Sequence, residues 1–145
     1  MDPWQDATDL WVFLPLGFVV TVLVESAVLL PGLSARHPLG RRLFACLWLN
    51  ACSYPVVVLV LPLLIDAAEH RAAYLWVAET FAPVSECTLF WAAFGTRAEW
   101  LRPSMWRDFA AIVAANLASF GVGELAYYVT SHPEWLRPAA AWLNT

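Results

Sequence analysis

The chain has 145 residues, 61% of them hydrophobic and 14% charged, with a formal net charge of −4 and a mean hydropathy of +0.60. That composition excludes an ordinary soluble domain. A small negative charge with no basic stripe excludes a nucleic-acid surface, so no nucleic-acid partner is expected.

The amino-terminal stretch Met1-Asp2-Pro3-Trp4-Gln5-Asp6 is acidic where a secretory signal is basic, and no cleavable signal is expected. Four apolar runs follow, from Leu10 to Leu33, Leu43 to Ile65, Ala72 to Phe94 and Phe109 to Val129. Each has roughly the 20 residues a helix needs to cross about 30 Å of hydrocarbon. The prediction is an all-α fold, a four-helix transmembrane bundle in the lipid bilayer, with spans over about 10–33, 42–65, 72–95 and 107–130. Short connections at 34–40, 66–71 and 95–105 make neighbouring helices antiparallel, giving two hairpins. All eight basic residues are arginine; three fall between the first two spans, three between the last two, and one each in the middle connection and the tail. The positive-inside rule then places both termini outside. Trp100 and Trp106 are expected at the cytoplasmic interface, and Trp4, Trp11, Trp135 and Trp142 at the outer one. Residues 131–145 are too few to span and are expected to lie on the outer surface.

One motif occurs twice. Glu25 is followed by Asn50-x-x-Ser53-x-Pro55, and Glu86 by Asn116-x-x-Ser119-x-Gly121. The same alignment sets Arg41 opposite Arg107. Each half has two spans, so both enter the membrane in the same orientation. The implied symmetry is a pseudo-two-fold along the membrane normal, a parallel repeat.

Counting at about 1.5 Å per residue places Glu25, Glu86, Asn50 and Asn116 at one level in the inner half of the membrane. Ser53 and Ser119 follow at i+3, one turn further out on the same faces. The level is expected to hold two Glu–Asn pairs around a central axis, because ionisable groups at such depth face a protein interior. Glu79 lies seven residues before Glu86, and Glu124 reaches a similar outer depth; their counterparts in the first half are Phe18 and Val58. Glu124 lies about 80° around the helix from Asn116, so it points into the same interior or at a neighbouring helix or subunit. Pro83 and Pro55 free the carbonyls of Glu79 and Ala51 from their helical bonds.

No catalytic residue, cofactor or metal site is expected. His37, His70 and His132 fall in loops or the tail, which removes intramembrane haem, zinc and protease chemistry. Cys46, Cys52 and Cys87 match no metal or disulfide spacing. The eight polar side chains support two functions. One is a proton or small-cation site with a carboxylate relay from Glu79 and Glu124 to Glu25 and Glu86. The other is a non-catalytic accessory subunit whose glutamates dock it in a larger membrane complex. Four spans are few for a complete pathway, so a homo-oligomer or a larger complex is expected in either case.

The motif set resembles a group of small bacterial four-span membrane proteins. The residues that carry it are Thr21 with Glu25, Asn50 with Ser53 and Pro55, Glu79 with Glu86, and Asn116 with Ser119, Phe120 and Gly123. The resemblance implies the bundle, its polar level and a bacterial inner (plasma) membrane location. It implies no particular activity.

Overall fold

The computed structural model describes residues 7–67, 69–96 and 102–132, with side chains from residue 14 onward. The described residues form four helices, α1 (Ala7–Gly32), α2 (Leu39–Leu64), α3 (Arg71–Phe94) and α4 (Pro103–Ser131), and no strand. They end at residues 32, 64, 94 and 131, against expected ends of 33, 65, 95 and 130. They begin up to four residues early, because hydropathy does not register a polar first turn. Pro103 sits in the first turn of α4, where a missing N–H costs nothing. Of the expected surface tail, Ser131 ends α4 and His132 caps it, while residues 133–145, with Trp135 and Trp142, fall outside the described residues, as do Trp4, Trp100 and the side chain of Trp11.

Leu14–Gly32, Leu39–Leu64 and Pro103–Ser131 are long and apolar enough to cross a membrane. The expectation of four spans is met in α3 by length, at 24 residues, but not by apolarity. Glu79 and Glu86, with the hydroxyl side chains around them, lower its hydropathy. The distribution of polarity is the reverse of a soluble bundle's. Leu63 and Trp76 are 84% and 77% exposed, while Glu25, Asn50, Glu86 and Asn116 are buried. That arrangement is compatible with a membrane protein.

The helices form a closed ring in which α1 packs against α2 and α4, and α3 packs against the same two. One end of the ring carries the 33–38 connection, the end of α3 and the start of α4, and is called the arginine end below. The apolar core sits there, with Leu29, Leu33, Leu49, Phe90, Met105 and Ile112 fully buried. The terminal carbonyls of α1 are capped by arginines from both neighbours. Arg42 donates to the carbonyls of Leu30 (2.9 Å) and Ser34 (3.3 Å), and Arg107 to that of Gly32 (3.0 Å). Cations at a helix C-terminus satisfy orphan acceptors and oppose the negative dipole end. Arg41, aligned with Arg107 in the repeat, instead lies over the Phe94 ring at 5.3 Å.

In α2 the helix widens into one π turn at Val56–Val60, directly after Pro55. Pro62 follows closely; it offers no N–H to the Val58 carbonyl four residues back and crowds it, and the wide turn, closed by the Leu61 N–H on the Val56 carbonyl, absorbs that defect. The Tyr74 hydroxyl donates to the Val57 carbonyl within that turn at 3.1 Å. α3 runs unbroken through Pro83.

α1 and α4 approach closely at Gly32, where an added Cβ would sit 2.8 Å from the Ala111 Cβ. Backbone-borne atoms cannot rotate away, so Gly32→Ala should lower stability by roughly 1–3 kcal/mol. Gly121, also helical, has open space at its Cβ position. Gly121→Ala should leave stability unchanged or raise it by up to about 1 kcal/mol. Thermal unfolding midpoints in detergent check the contrast.

Candidate functional site

The polar level is built one helix at a time. α1 supplies Glu25, α2 supplies Asn50 and Ser53, α3 supplies Glu86, and α4 supplies Asn116 and Ser119. Glu25 and Glu86 are only 2% and 1% exposed. The Asn50 amide donates to Glu25 Oε2 at 2.8 Å, and the Asn116 amide to Glu86 Oε2 at 2.9 Å. Each asparagine uses its second N–H on a carbonyl of its own helix, Cys46 and Ile112 respectively, both at 3.0 Å. That local bond fixes the amide's rotamer and aims the other hydrogen across the interface.

The serines cross between the halves. Ser53 Oγ lies 2.5 Å from Glu86 Oε1, and Ser119 Oγ lies 2.8 Å from Glu25 Oε1. The sequence placed these serines on the right faces but did not pair them with the opposite half's glutamate. With the asparagine bonds they form a cycle: α1 to α2, α2 to α3, α3 to α4, and α4 back to α1. Every interface of the ring carries one hydrogen bond to a buried carboxyl.

On the arginine side of the level, one helical turn away, lie Leu29, Cys46, Phe90 and Ile112, all buried. They close that side with an apolar layer. On the other side is a cavity of about 210 Å³, lined by all eight of the predicted polar residues: Glu25, Asn50, Ser53, Glu79, Glu86, Asn116, Ser119 and Glu124. A water takes about 30 Å³ in the liquid, so the space suits several waters or a small solvated ion. Glu124 and the exposed Gly123 form its rim. Gly17 also serves this half of the bundle, since a Cβ there would collide with the Tyr54 hydroxyl.

Glu124 is not a free relay carboxylate. Arg71, at the start of α3, places one guanidinium nitrogen 2.6 and 2.8 Å from its two oxygens and lies over the Tyr127 ring at 4.4 Å. The pair is solvent-accessible, so it adds little stability, but it ties α3 to α4 at the mouth.

A second polar cluster, at the arginine end, has no counterpart among the residues singled out from the sequence. Asp108 is fully buried. Its Oδ1 accepts the Ser34 backbone N–H at 2.6 Å, and its Oδ2 accepts from Ser34 Oγ at 3.0 Å and Arg36 Nη2 at 2.9 Å. His37 Nε2 lies 3.1 Å from the same Oδ2, and its ring meets the Phe90 ring edge-on at 5.3 Å. Asp108 precedes the last apolar run by one residue, and His37 lies in a loop. Hydropathy therefore assigns both to the surface, whereas the loop folds inward onto α3 and α4. The one available signal was the acid itself, set at the edge of an apolar run beside Arg107. Among the described residues, no group of three His, Cys, Asp or Glu side chains is placed to hold a metal ion.

No family model, curated protein or solved structure matches the chain.

Burial holds the pKa of His37 below its ordinary value; Asp108 opposes this, and Arg36 and Arg41 add to it. The unfolded chain therefore takes up this proton at a higher pH than the folded chain does. Stability should fall as pH drops below about 6.5, and the loss should level off below the folded-state pKa. His37→Gln, which keeps a donor for Asp108 but does not titrate, should flatten that part of the profile. Chemical unfolding in detergent from about pH 7.5 to 5.5 tests this.

Proposed function

We propose that the chain is a multi-pass protein of the bacterial inner membrane, with both termini outside and α3 as its fourth span. In this proposal the Glu25/Glu86 level exchanges protons, or binds a small cation, from the outer side. The arginine distribution supports the orientation, and the motif resemblance supports the compartment. The serine bonds between the halves support a pseudo-two-fold parallel repeat. The observation that carries the function is that two buried carboxyls lie at the floor of a polar cavity, each held by one amide and one hydroxyl.

This donor set serves both protonation states. An ionised carboxylate accepts from the asparagine N–H and the serine O–H. A protonated one keeps the asparagine bond and donates its own hydrogen to the serine oxygen. The serine hydrogen then turns to a backbone carbonyl, that of Leu49 for Ser53 (3.1 Å) or of Asn116 for Ser119 (3.0 Å). Proton gain or loss thus requires a hydroxyl rotation and no movement of helices. Passage to the cytoplasm would require the Leu29–Cys46–Phe90–Ile112 layer to part. Pro83 in α3 and the π turn of α2 are the points where the helices can bend.

The accessory-subunit alternative is favoured by the same completeness of hydrogen bonding. A cycle that joins all four helices is also a good structural clamp, at roughly 0.6–2 kcal/mol per contact. In either case an oligomer or a larger complex is expected, since four spans enclose little space.

Proton flux in liposomes separates the two. Flux should be measurable for the native chain and should fall toward the empty-liposome level in Glu25→Gln and Glu86→Gln, which keep hydrogen-bonding capacity but cannot ionise. If the native chain gives no flux above empty liposomes and co-purifies with a stoichiometric membrane partner, the accessory role replaces transport.

A further inference from the structure

Among the helix carboxylates whose side chains are described, Glu79 alone makes no hydrogen bond or ion pair. Glu25 and Glu86 have their Asn and Ser donors, Asp108 has Ser34, Arg36 and His37, and Glu124 has Arg71. Glu79 also lines two spaces at once. One is the polar cavity above the carboxyl level; the other is an open groove of about 800 Å³ between α3 and α4.

The groove is apolar, with walls formed by Pro83, Val84 and Trp91 of α3 and by Phe109 and Val113 of α4. Thr80 and Thr88 border it, but their hydroxyls turn back to the carbonyls of Trp76 and Val84 at 2.8 and 2.7 Å, leaving their methyl groups as the free surface. From Glu79 to Trp91 is twelve residues, or about 18 Å along the helix. The groove thus offers a long apolar track with an unpaired carboxylate near one end.

An unpaired carboxylate among apolar helices is unfavourable, and a positive partner removes the penalty. Among the described residues none is supplied: the nearby Arg71 is bound to Glu124 and lies over the Tyr127 ring. The other carboxyl groups lining the polar cavity are Glu25, Glu86 and Glu124, and its tyrosines, Tyr54 and Tyr74, carry no positive charge. A bare inorganic cation would satisfy Glu79 but leave the groove unused.

We propose that Glu79 and the α3–α4 groove bind a lipophilic cation, a ligand with an ammonium- or phosphonium-type centre and an apolar body. The charged centre sits at Glu79, at the junction with the polar cavity, and the apolar body lies along α3 toward Trp91. The ligand arrives from the bilayer, to which the groove is open. This assignment rests on the reading of the cavity as a cation-handling site, and it adds the class of ligand.

The test is equilibrium binding of radiolabelled tetraphenylphosphonium to the purified full chain in lipid nanodiscs. Native protein should bind it saturably, and dodecyltrimethylammonium should displace it where sodium at the same concentration does not. Glu79→Gln should weaken binding about tenfold or more. Glu79→Asp should retain most of it, which guards against a folding artefact. Val84→Trp, which fills the groove without touching charge, should weaken binding comparably. Absence of saturable binding overturns the proposal, as does equal binding by native, Glu79→Gln and Val84→Trp proteins; the groove is then covered by a lipid tail or a second copy. Displacement by sodium overturns the lipophilic class in favour of an inorganic ion. Proton flux that depends on Glu25 and Glu86, without tetraphenylphosphonium binding, refutes this proposal alone. Glu79-dependent binding without proton flux refutes only the proton role.

Discussion

A carboxyl group buried among apolar helices must be given hydrogen-bond partners, and the rest of the bundle is arranged around that requirement. Two glutamates each need two partners at a depth where water is scarce. The chain meets the need with the neighbouring helices rather than with local bonds. Glu25 draws on α2 and α4, and Glu86 draws on the same two helices from the other side. Carboxyls on the odd-numbered helices and donors on the even-numbered ones leave a single compatible ring order. Shifting one helix by a turn breaks two bonds at once, so the level also fixes the register of all four helices.

The two ends of the ring differ because only one of them is packed. Toward the arginine end the faces below the level carry Leu29, Phe90 and Ile112, and below these the Asp108 cluster pins the 33–38 loop to α4. Toward the other end the same faces carry Thr21, Glu79, Gly123 and Glu124, and the helices enclose a cavity. Polarity along each face therefore decides where the bundle is closed and where it admits solvent. In the proposed proton or cation role, an open approach on one side and an apolar seal on the other would let the level exchange with one compartment at a time. The wide turn after Pro55 and the proline within α3 lie on the open side, where loss of backbone bonding is tolerated best.

Much of this was legible in the sequence because hydropathy and helical counting depend on local spacing. Length and apolarity place the four helix ends, and counting from those ends sets Glu25, Asn50, Glu86 and Asn116 at a common depth. Spacing also aims Ser53 and Ser119 toward the interior, but it does not say which carboxyl each meets. That depends on interhelical rotation, which brings each serine nearer the glutamate of the other half. Asp108 and His37 escaped notice for a related reason. Their burial comes from a six-residue loop folding back onto α3 and α4, and a loop's path leaves no periodicity to read. The pairing of Glu124 with Arg71 was hidden because the residues are 53 positions apart and belong to different predicted segments.

The exchange of serines between the halves is the central structural claim, and double-mutant cycles test it most directly. Ser53→Ala would be combined with Glu86→Leu, and Ser119→Ala with Glu25→Leu, and each quartet unfolded reversibly in detergent. Both cycles should give coupling energies of about 0.5–2 kcal/mol, while Ser53→Ala with Glu25→Leu should be nearly additive. Additivity in both cross-half cycles, with coupling instead between Ser53 and Glu25, would contradict the account.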